Sequence, residues 1–332
     1  MATHLKKFVS IMLFAVLLLS AVTCLGATEL KLGGTSPVGS LHDEMAQTFA
    51  KNLSEVSDGN LTLSVNMGGV LGNAMAHFSQ LKQGDLDFYI ASLDTASGLQ
   101  GGEDLAVVLV PFLFQGKDHY EKFLASDLFK DMMSKAESNH GLKFLGTLCR
   151  QLPRGLSTSK VAVHSIEDVK NLKIRVPEAT AMTEIWKAWG ANPTIIGGGE
   201  LYSALQSGLA DGQDNDVITT YKNAYDEVQD YYTELEYIYQ NMFLYASAKN
   251  YENYTDEQKT WIAEAMSKTY NEFDEKLEAM YQEAKQGLID KGMEFVDADI
   301  QSFRDATVSA VGQFDGKLYS EGLFEKIQAL AD

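Results

Sequence analysis

The sequence predicts an α/β protein built from two open α/β domains, and three observations support this class. Apolar residues make up 45% of the 332-residue chain, which is enough for cores of ordinary size. Strand-like runs alternate with amphipathic helical stretches in two successive sets, one before and one after about residue 153. A long helical stretch follows both sets. We therefore expect two domains joined by hinge strands and by a domain-spanning helix.

The first set has the β-α-β-α-β order that is typical of an open α/β domain. Residues 61–67 alternate between apolar and polar side chains, as a half-buried strand does. The predicted elements, in order, are a strand at 29–34, a helix at 42–56, a strand at 61–67, a helix at 73–82, a strand at 85–91, helices near 119–137 and a strand at 142–148.

The second set repeats this alternation after Arg154. Its predicted elements are strands at 155–159, 172–176 and 193–196, helices at 179–189 and 200–207, and a strand-like return at 238–248. Two terminal helices are expected at about 298–313 and 321–331. We assign residues 28–152 plus about 241–280 to the first domain, and about 153–240 plus 281–332 to the second.

The long helix begins with a capping box, in which Thr255 occupies the N-cap and Gln258 follows three residues later. Apolar residues from Trp261 to Phe273 recur at spacings of three and four, so one face is buried. We predict one helix to about Lys291, which at roughly 1.5 Å per residue is about 50 Å long. That length reaches both domains.

Residues 1–27 have the features of a signal peptide. Lys6 and Lys7 precede an apolar core at 11–19, and small residues follow at 21–27. We therefore expect export to the periplasm. A lipid anchor at Cys24 is not expected, because the three residues before it lack the usual pattern. Cys149 would then be the single cysteine, and we expect it to pack as a small apolar residue rather than to act as a nucleophile.

Charge and motif content exclude several classes of function. Acidic residues outnumber basic ones by 46 to 27, a net charge of −19, so phosphate contacts with a nucleic acid would meet a repulsive field. The six histidines show no zinc-type spacing, and no G-x-S-x-G elbow is present. The sequence also suggests no nucleophile–base pair near a cleft. We expect no metal, no cofactor and no catalysis.

Arg175 poses the central question, because it lies inside the apolar strand 172–176 that Pro177 closes. A guanidinium keeps its charge, so a buried one needs an anion nearby. The partner could be an internal acid such as Glu178 or Asp214, or it could be a carboxylate from outside. Asn215, forty residues later, could likewise be a plain turn residue or a second donor to that carboxylate.

Four motifs surround Arg175. They are, in order, Arg154 with Ser157 to Lys160, SIEDVKNLKIRVP, GANP and ELYSALQSGLADGQDN. These motifs resemble those of the solute-binding proteins of TRAP transporters, the tripartite ATP-independent periplasmic systems that import organic acids. Further matching motifs are LGN, GDLDF, VPFLF and YDEVQDYYT, so the resemblance extends over nearly the whole chain after residue 27.

This resemblance implies a fold like that of the type II periplasmic binding proteins and a carboxylate ligand in the interdomain cleft. Arg175 would form a paired salt bridge to the carboxylate, and Asn215 would donate a hydrogen bond beside it. Arg154 would face the same anion as a second cation. The protein would act as a monomer and deliver its ligand to a small and a large membrane subunit.

Other pocket positions differ from those of many relatives and bear on specificity. Ser92, Gly198 and Tyr237 align with pocket positions, and Asp216 replaces a common Pro. The first-domain wall carries little charge, which favours a carboxylate with a small or apolar remainder over a highly hydroxylated one. Trp186 and Trp189 are expected in the core rather than in the pocket. Two other functions stay open, a ligand-binding sensor module for a receptor and, less favoured, a secreted α/β enzyme.

Overall fold

The computed structural model describes residues 27–331. The predicted signal peptide and Cys24 therefore lie outside the described residues, apart from Ala27. Within residues 27–331, none of the helices combines the length and the apolar character that crossing a bilayer requires.

Two separate sheets organise the described chain, as the fold class predicts. The strands are β1 Thr28–Gly33, β2 Leu61–Asn66, β3 Phe88–Ala91, β4 Leu142–Arg150, β5 Gly155–Thr158, β6 Lys173–Val176, β7 Asn192–Ile195, β8 Gly212–Asn215, β9 Tyr231–Thr233, β10 Asn241–Ser247 and β11 Glu294–Val296. The first sheet has the order β2-β1-β3-β10-β4, and the second has the order β11-β9-β5-β8-β6-β7.

The helices cover these sheets, and most agree with the sequence within a few residues. They are α1 Leu41–Val56, α2 Ala74–Gln83, α3 Lys117–Ala125, α4 Asp127–His140, α5 Thr180–Ala188, α6 Leu201–Gln206, α7 Val217–Lys222, α8 Ala248–Asn253, α9 Asp256–Asp274, α10 Leu277–Asp290, α11 Ile300–Phe314 and α12 Leu323–Gln328. Residues 105–114 are mostly apolar. Glu103–Leu109, which overlaps the start of this segment, forms 3-10 helical turns.

Strand β10 returns the chain from the second sheet to the first. It inserts between β3 and β4 and runs antiparallel to both. All seven of its residues are buried, which explains why the sequence shows no polar alternation there. The chain therefore crosses between the sheets three times, at 151–154, at 234–240 and, through the helices between β10 and β11, at 248–293.

The single long helix predicted to Lys291 is wrong, because the structure contains two consecutive helices, α9 and α10. The capping box is confirmed, since Thr255 Oγ1 accepts from Gln258 N at 3.1 Å while Gln258 Oε1 accepts from Thr255 N at 2.9 Å. The helix ends at Asp274, and a turn at 275–276 precedes the next one. α9 packs on α1 and β4, whereas α10 packs on α7. Each helix thus follows a different neighbour, and together they still reach both sheets.

The expected core residues are buried. Trp186 and Trp189 are both almost fully enclosed and pack edge to face with their ring centroids 5.1 Å apart, so the core prediction is confirmed. Cys149 is also fully buried in β4, and its burial raises the pKa of the thiol well above the ordinary value. Its predicted role as a small apolar side chain is confirmed as well.

Candidate functional site

A cavity of about 100 Å³ lies between the two sheets, next to the crossing segments. It is formed where β1 and β3 end, so their carboxyl ends supply one wall, as is usual for ligand sites in open α/β sheets. The lining residues are Thr35, Ser36, His42, Tyr89, Ile90, Ala91, Ser92, Thr95, Gln151, Leu152, Arg154, Asn215, Asp216, Gln240 and Met242.

The two sides of the cleft approach each other closely near its rim. A Cβ atom built on Gly198 would lie 3.9 Å from the carbonyl oxygen of Thr35 on the opposite side. Lys222 in α7 also reaches Glu44 in α1, with 3.1 Å between Nζ and Oε2. Gly198 does not line the cavity, but its missing side chain leaves room for this approach.

Arg175 is buried at the second sheet without an internal counter-ion. β6 pairs with β7 and β8, which places Arg175 opposite Thr194 and Gln213. The side chain is 6% exposed, and its Nε donates to the carbonyl oxygen of Ile196 at 2.8 Å. Within residues 27–331, no carboxylate oxygen lies within 4.0 Å of its guanidinium. The internal salt bridge to Glu178 or Asp214 is therefore not present.

The terminal nitrogens of Arg175 are available to an incoming group. Neither Nη atom has a hydrogen-bond partner among the described residues, and neither belongs to the fully enclosed side-chain atoms that lack one. Both atoms thus keep some contact with open space, although Arg175 is not among the residues that line the cavity described above. Burial lowers the pKa of Arg175 to about 10, Asp214 opposes this in part, and Arg154 lowers the pKa further. The group stays charged at neutral pH, in surroundings that favour an added anion.

Arg154 lines the cavity, but its charge is already paired within the chain. Its Nε donates to Asp214 Oδ2 at 2.7 Å, and its Nη2 donates to Oδ1 at 3.0 Å. Burial would lower the pKa of Arg154, but the carboxylate of Asp214 outweighs burial and raises the pKa above its ordinary value. That Arg154 faces the ligand anion stays a prediction, and the pairing with Asp214 adds an internal partner that the sequence did not indicate.

Tyr237 lies behind the cavity rather than in its wall. The side chain is 1% exposed, and its hydroxyl donates to the same carboxylate of Asp214 that holds Arg154. Burial is the main cause that raises the pKa of Tyr237 well above 10, and the charge of Asp214 adds to it, so the phenol stays protonated and keeps donating. Tyr237 helps to hold the Arg154–Asp214 pair.

Asn215 and Ser92 both reach the cavity. Asn215 follows Gln213 by two residues in β8, so its side chain is on the same face of the sheet as those of Gln213 and Arg175. Its Nδ2 donates to Gln213 Oε1 at 2.6 Å. On the opposite wall, Ser92 Oγ lies 3.1 Å from Thr95 Oγ1. The structure thus brings Arg175 and Asn215 to one sheet face, with Ser92 across the cleft.

Sequence reasoning missed a histidine in the cavity wall. His42 Nδ1 lies 2.6 Å from Ser36 Oγ, and its Nε2 lies 2.6 Å from Gln151 Nε2. Burial, and to a smaller extent the charge of Arg154, lowers the pKa of His42 to about 4. The signal that could have identified this contact is the place of Ser36 in the loop after β1, at the carboxyl edge of a parallel strand, with His42 in the first turn of the helix that follows.

This contact also corrects the expectation that the cleft holds no serine–histidine pair. With a pKa near 4, His42 is a weak proton acceptor, and its second nitrogen faces an amide rather than an orienting carboxylate. The pair therefore does not favour hydrolysis. Among residues 27–331, no group of three or more His, Cys, Asp or Glu side chains is placed to hold a metal ion.

Comparison with known proteins agrees with this geometry. The family model described as bacterial extracellular solute-binding protein, family 7, matches residues 32–317. The chain is 28% identical to the sialic acid-binding periplasmic protein of Vibrio cholerae, over 98% of this chain and 100% of that protein. It is 27% identical to the 2,3-diketo-L-gulonate-binding periplasmic protein of Escherichia coli, over 86% of each.

Solved structures show the same fold. The sugar acid-binding protein of Advenella mimigardefordensis, in complex with galactonate, superposes with a TM-score of 0.83 at 21% identity and covers 92% of this chain and 98% of its own. A TRAP solute-binding protein of Sulfurospirillum deleyianum, with bound succinate, gives 0.81 at 23% identity and covers 91% and 98%. With a family model that spans most of its length, the chain belongs to the bacterial extracellular solute-binding proteins of family 7.

Proposed function

We propose that this protein captures an organic-acid anion in its cleft, with Arg175 as the anchor for the carboxylate. One observation supports this above all others: Arg175 is a buried cation with two open Nη atoms and no counter-ion among the described residues. A planar pair of N–H donors matches a carboxylate in bidentate geometry. The relatives named above bind sialic acid, diketogulonate, galactonate or succinate, all of them acids.

The neighbouring side chains have distinct roles in this proposal. Asn215 donates to the same carboxylate without adding charge, and Ser92 binds the far end of the ligand. Arg154 contributes through Asp214, by fixing the strand end that carries Asn215. Gly198 allows its loop to come close to Thr35.

We propose that residues 28–152 plus about 241–280 form one domain and that about 153–240 plus 281–332 form the other. Gln240, in the second crossing segment, supports a hinge at this place. It accepts from Arg154 Nη1 at 2.7 Å and donates from its Nε2 to Asp94 Oδ1 at 2.8 Å. The ligand would bridge the two sides and shift the population towards the closed form.

The remaining roles follow from the family. We propose that the protein is exported to the periplasm as a monomer without a lipid anchor and without a cofactor. There it would deliver its ligand to the small and the large membrane subunit of a TRAP transporter. As a carrier it would bind its ligand and release it chemically unchanged.

A thermal-shift screen with organic acids tests this function, because a ligand that binds only the folded state raises the melting temperature. Arg175→Ala should remove the shift for every acid that binds the wild type. Arg304→Ala is the matched control, because Arg304 is exposed and lies over Phe112, away from the cavity. An equal shift in Arg175→Ala and in the wild type would contradict the proposal, and so would consumption of the acid.

A further inference from the structure

We infer that the cleft selects a short hydroxy acid with a single negative charge. We also infer that Asp216 repels ligands that carry a second negative charge. This inference rests on the proposed function and names the ligand class of that site. It draws on three independent properties of the cavity, namely its volume, its charge and the chemistry of its walls.

The volume limits the length of the ligand. A single water needs about 10–15 Å³ of such space, so a cavity of about 100 Å³ has room for about seven to ten water-sized groups. Arg175 is not among the lining residues, so the carboxylate would lie beside this space and the remainder of the ligand within it. The remainder of a three- or four-carbon hydroxy acid fits easily, that of a six-carbon sugar acid fills the space, and that of a nine-carbon sugar acid exceeds it. The close approach of Gly198 to Thr35 leaves little room for such a ligand to extend through the rim.

The charges in the cavity provide for one carboxylate only. Arg154 is the one cation among the lining residues, and Asp214 already pairs with it. Asp216 is the one carboxylate in the lining and is 4% exposed. A monoanion can use Arg175, but the second carboxylate of a dicarboxylic acid would find no free cation and would face Asp216. Like charges in a poorly solvated site repel strongly.

Asp216 is held in place as the N-cap of α7. Its Oδ1 accepts from Thr219 N at 2.9 Å, and its Oδ2 accepts from Thr219 Oγ1 at 2.6 Å. Burial raises the pKa of Asp216, and these two hydrogen bonds oppose the rise by stabilising the ionised form. Each oxygen keeps a further lone pair, so Asp216 can also accept from a hydroxyl group of the ligand.

The walls favour hydroxyl groups over an apolar remainder. Hydroxyl and amide side chains face the cavity from both sides: Thr35, Ser36, Ser92, Thr95, Asn215, Gln151 and Gln240. Neutral groups of this kind donate to and accept from hydroxyls at no cost in charge. We therefore keep the sequence-based preference for a small ligand. We now expect its remainder to carry hydroxyl groups rather than to be apolar.

Isothermal titration with four acids tests the inference. D-glycerate and D-erythronate are short monoanions, succinate is a dianion of similar size, and D-galactonate is a longer monoanion. We expect at least one short hydroxy acid to bind about tenfold or more tightly than both succinate and galactonate. Tighter binding of succinate or galactonate than of either short acid would overturn the inference.

Asp216→Asn isolates the role of the carboxylate. Asn is as good an N-cap as Asp, so α7 should keep its start and the melting temperature without ligand should change little. We expect the preference for the short acid over succinate to fall about fivefold or more. Asp299→Asn is the matched control, because Asp299 caps α11 in the same way but does not line the cavity.

The outcomes separate this inference from the proposed function. If Arg175→Ala abolishes binding of the preferred acid and that acid is succinate or galactonate, the proposed function holds and the ligand class is wrong. If none of these four acids binds the wild type, the ligand class is wrong; the proposed function is overturned as well only if the thermal-shift screen also finds no acid that binds. If Asp216→Asn leaves the ratio of affinities unchanged, Asp216 does not determine specificity.

Discussion

Arg154 and Arg175 lie close to the same cleft, but within residues 27–331 only Arg154 has an internal counter-ion. Its guanidinium binds the carboxylate of Asp214 through two hydrogen bonds, of 2.7 and 3.0 Å, whereas Arg175 has a single bond, to the carbonyl oxygen of Ile196. Because Asp214 can pair fully with only one of them, the other cation stays open to a ligand. We therefore expect opposite effects on the stability of the ligand-free protein when each arginine is replaced by alanine.

Arg175→Ala should leave the ligand-free protein at least as stable as the wild type. A buried charge without a counter-ion opposes folding, so its removal costs little or stabilises the protein. We expect the free energy of unfolding without ligand to change by less than about 1 kcal/mol in the destabilising direction, as measured by urea denaturation. A loss of about 3 kcal/mol or more would instead indicate that Arg175 supports the fold.

Arg154→Ala should destabilise the protein even without ligand. The substitution leaves Asp214, which is fully buried, without its cation. Breaking a buried ion pair in this way typically costs about 3–5 kcal/mol. Urea denaturation should show the loss without any ligand. Arg154→Met combined with Asp214→Leu should recover part of it, and an additive double mutant would argue against the pairing.

His42 should make the stability depend on pH between about 4 and 6.5. Its pKa in the folded protein is about 4, against 6.5 for an ordinary histidine, so the unfolded chain binds the extra proton first. The stabilisation is complete above pH 6.5 and is lost as the pH falls towards 4, by at most about 3 kcal/mol. His42→Asn should flatten this part of the profile relative to the wild type. Identical profiles would show that His42 is not buried as a neutral ring.

Gly198→Leu should weaken ligand binding without lowering the melting temperature of the ligand-free protein. Its backbone is not in the left-handed region, and a Cβ would meet only the carbonyl oxygen of Thr35, at 3.9 Å. A large side chain there would hold the two sides apart. We expect affinity to fall by about tenfold or more, measured by titration calorimetry. Gly198→Ala, which fits the gap, should bind as the wild type does.

The fold class and the place of Arg175 in a buried strand could be predicted from the sequence, because their signals are local. The capping box of Thr255 and Gln258 involves residues three apart. Arg175 lies in a strand whose apolar neighbours form a pattern in the sequence. The break at 275–276 was not visible, because it arises from the different packing partners of α9 and α10.

The pairing around Asp214 could not be predicted for a related reason. Whether this carboxylate pairs with Arg154 or with Arg175 depends on how β5, β6 and β8 align side by side. The access of Asp216 to the cavity likewise depends on how strand ends from both sheets lie together. The spacing of residues along the sequence does not show which strands lie side by side in the fold.

The position of β10 has a consequence for the order in which the chain can fold during synthesis. The strand completes the first sheet by inserting between β3 and β4, yet it is translated after the whole of β5 to β9. A nascent chain that lacks residues 241–247 leaves two strand edges of that sheet without partners. The amino-terminal half therefore stays incomplete until most of the polypeptide has left the ribosome, which delays folding in a way that suits the export we propose.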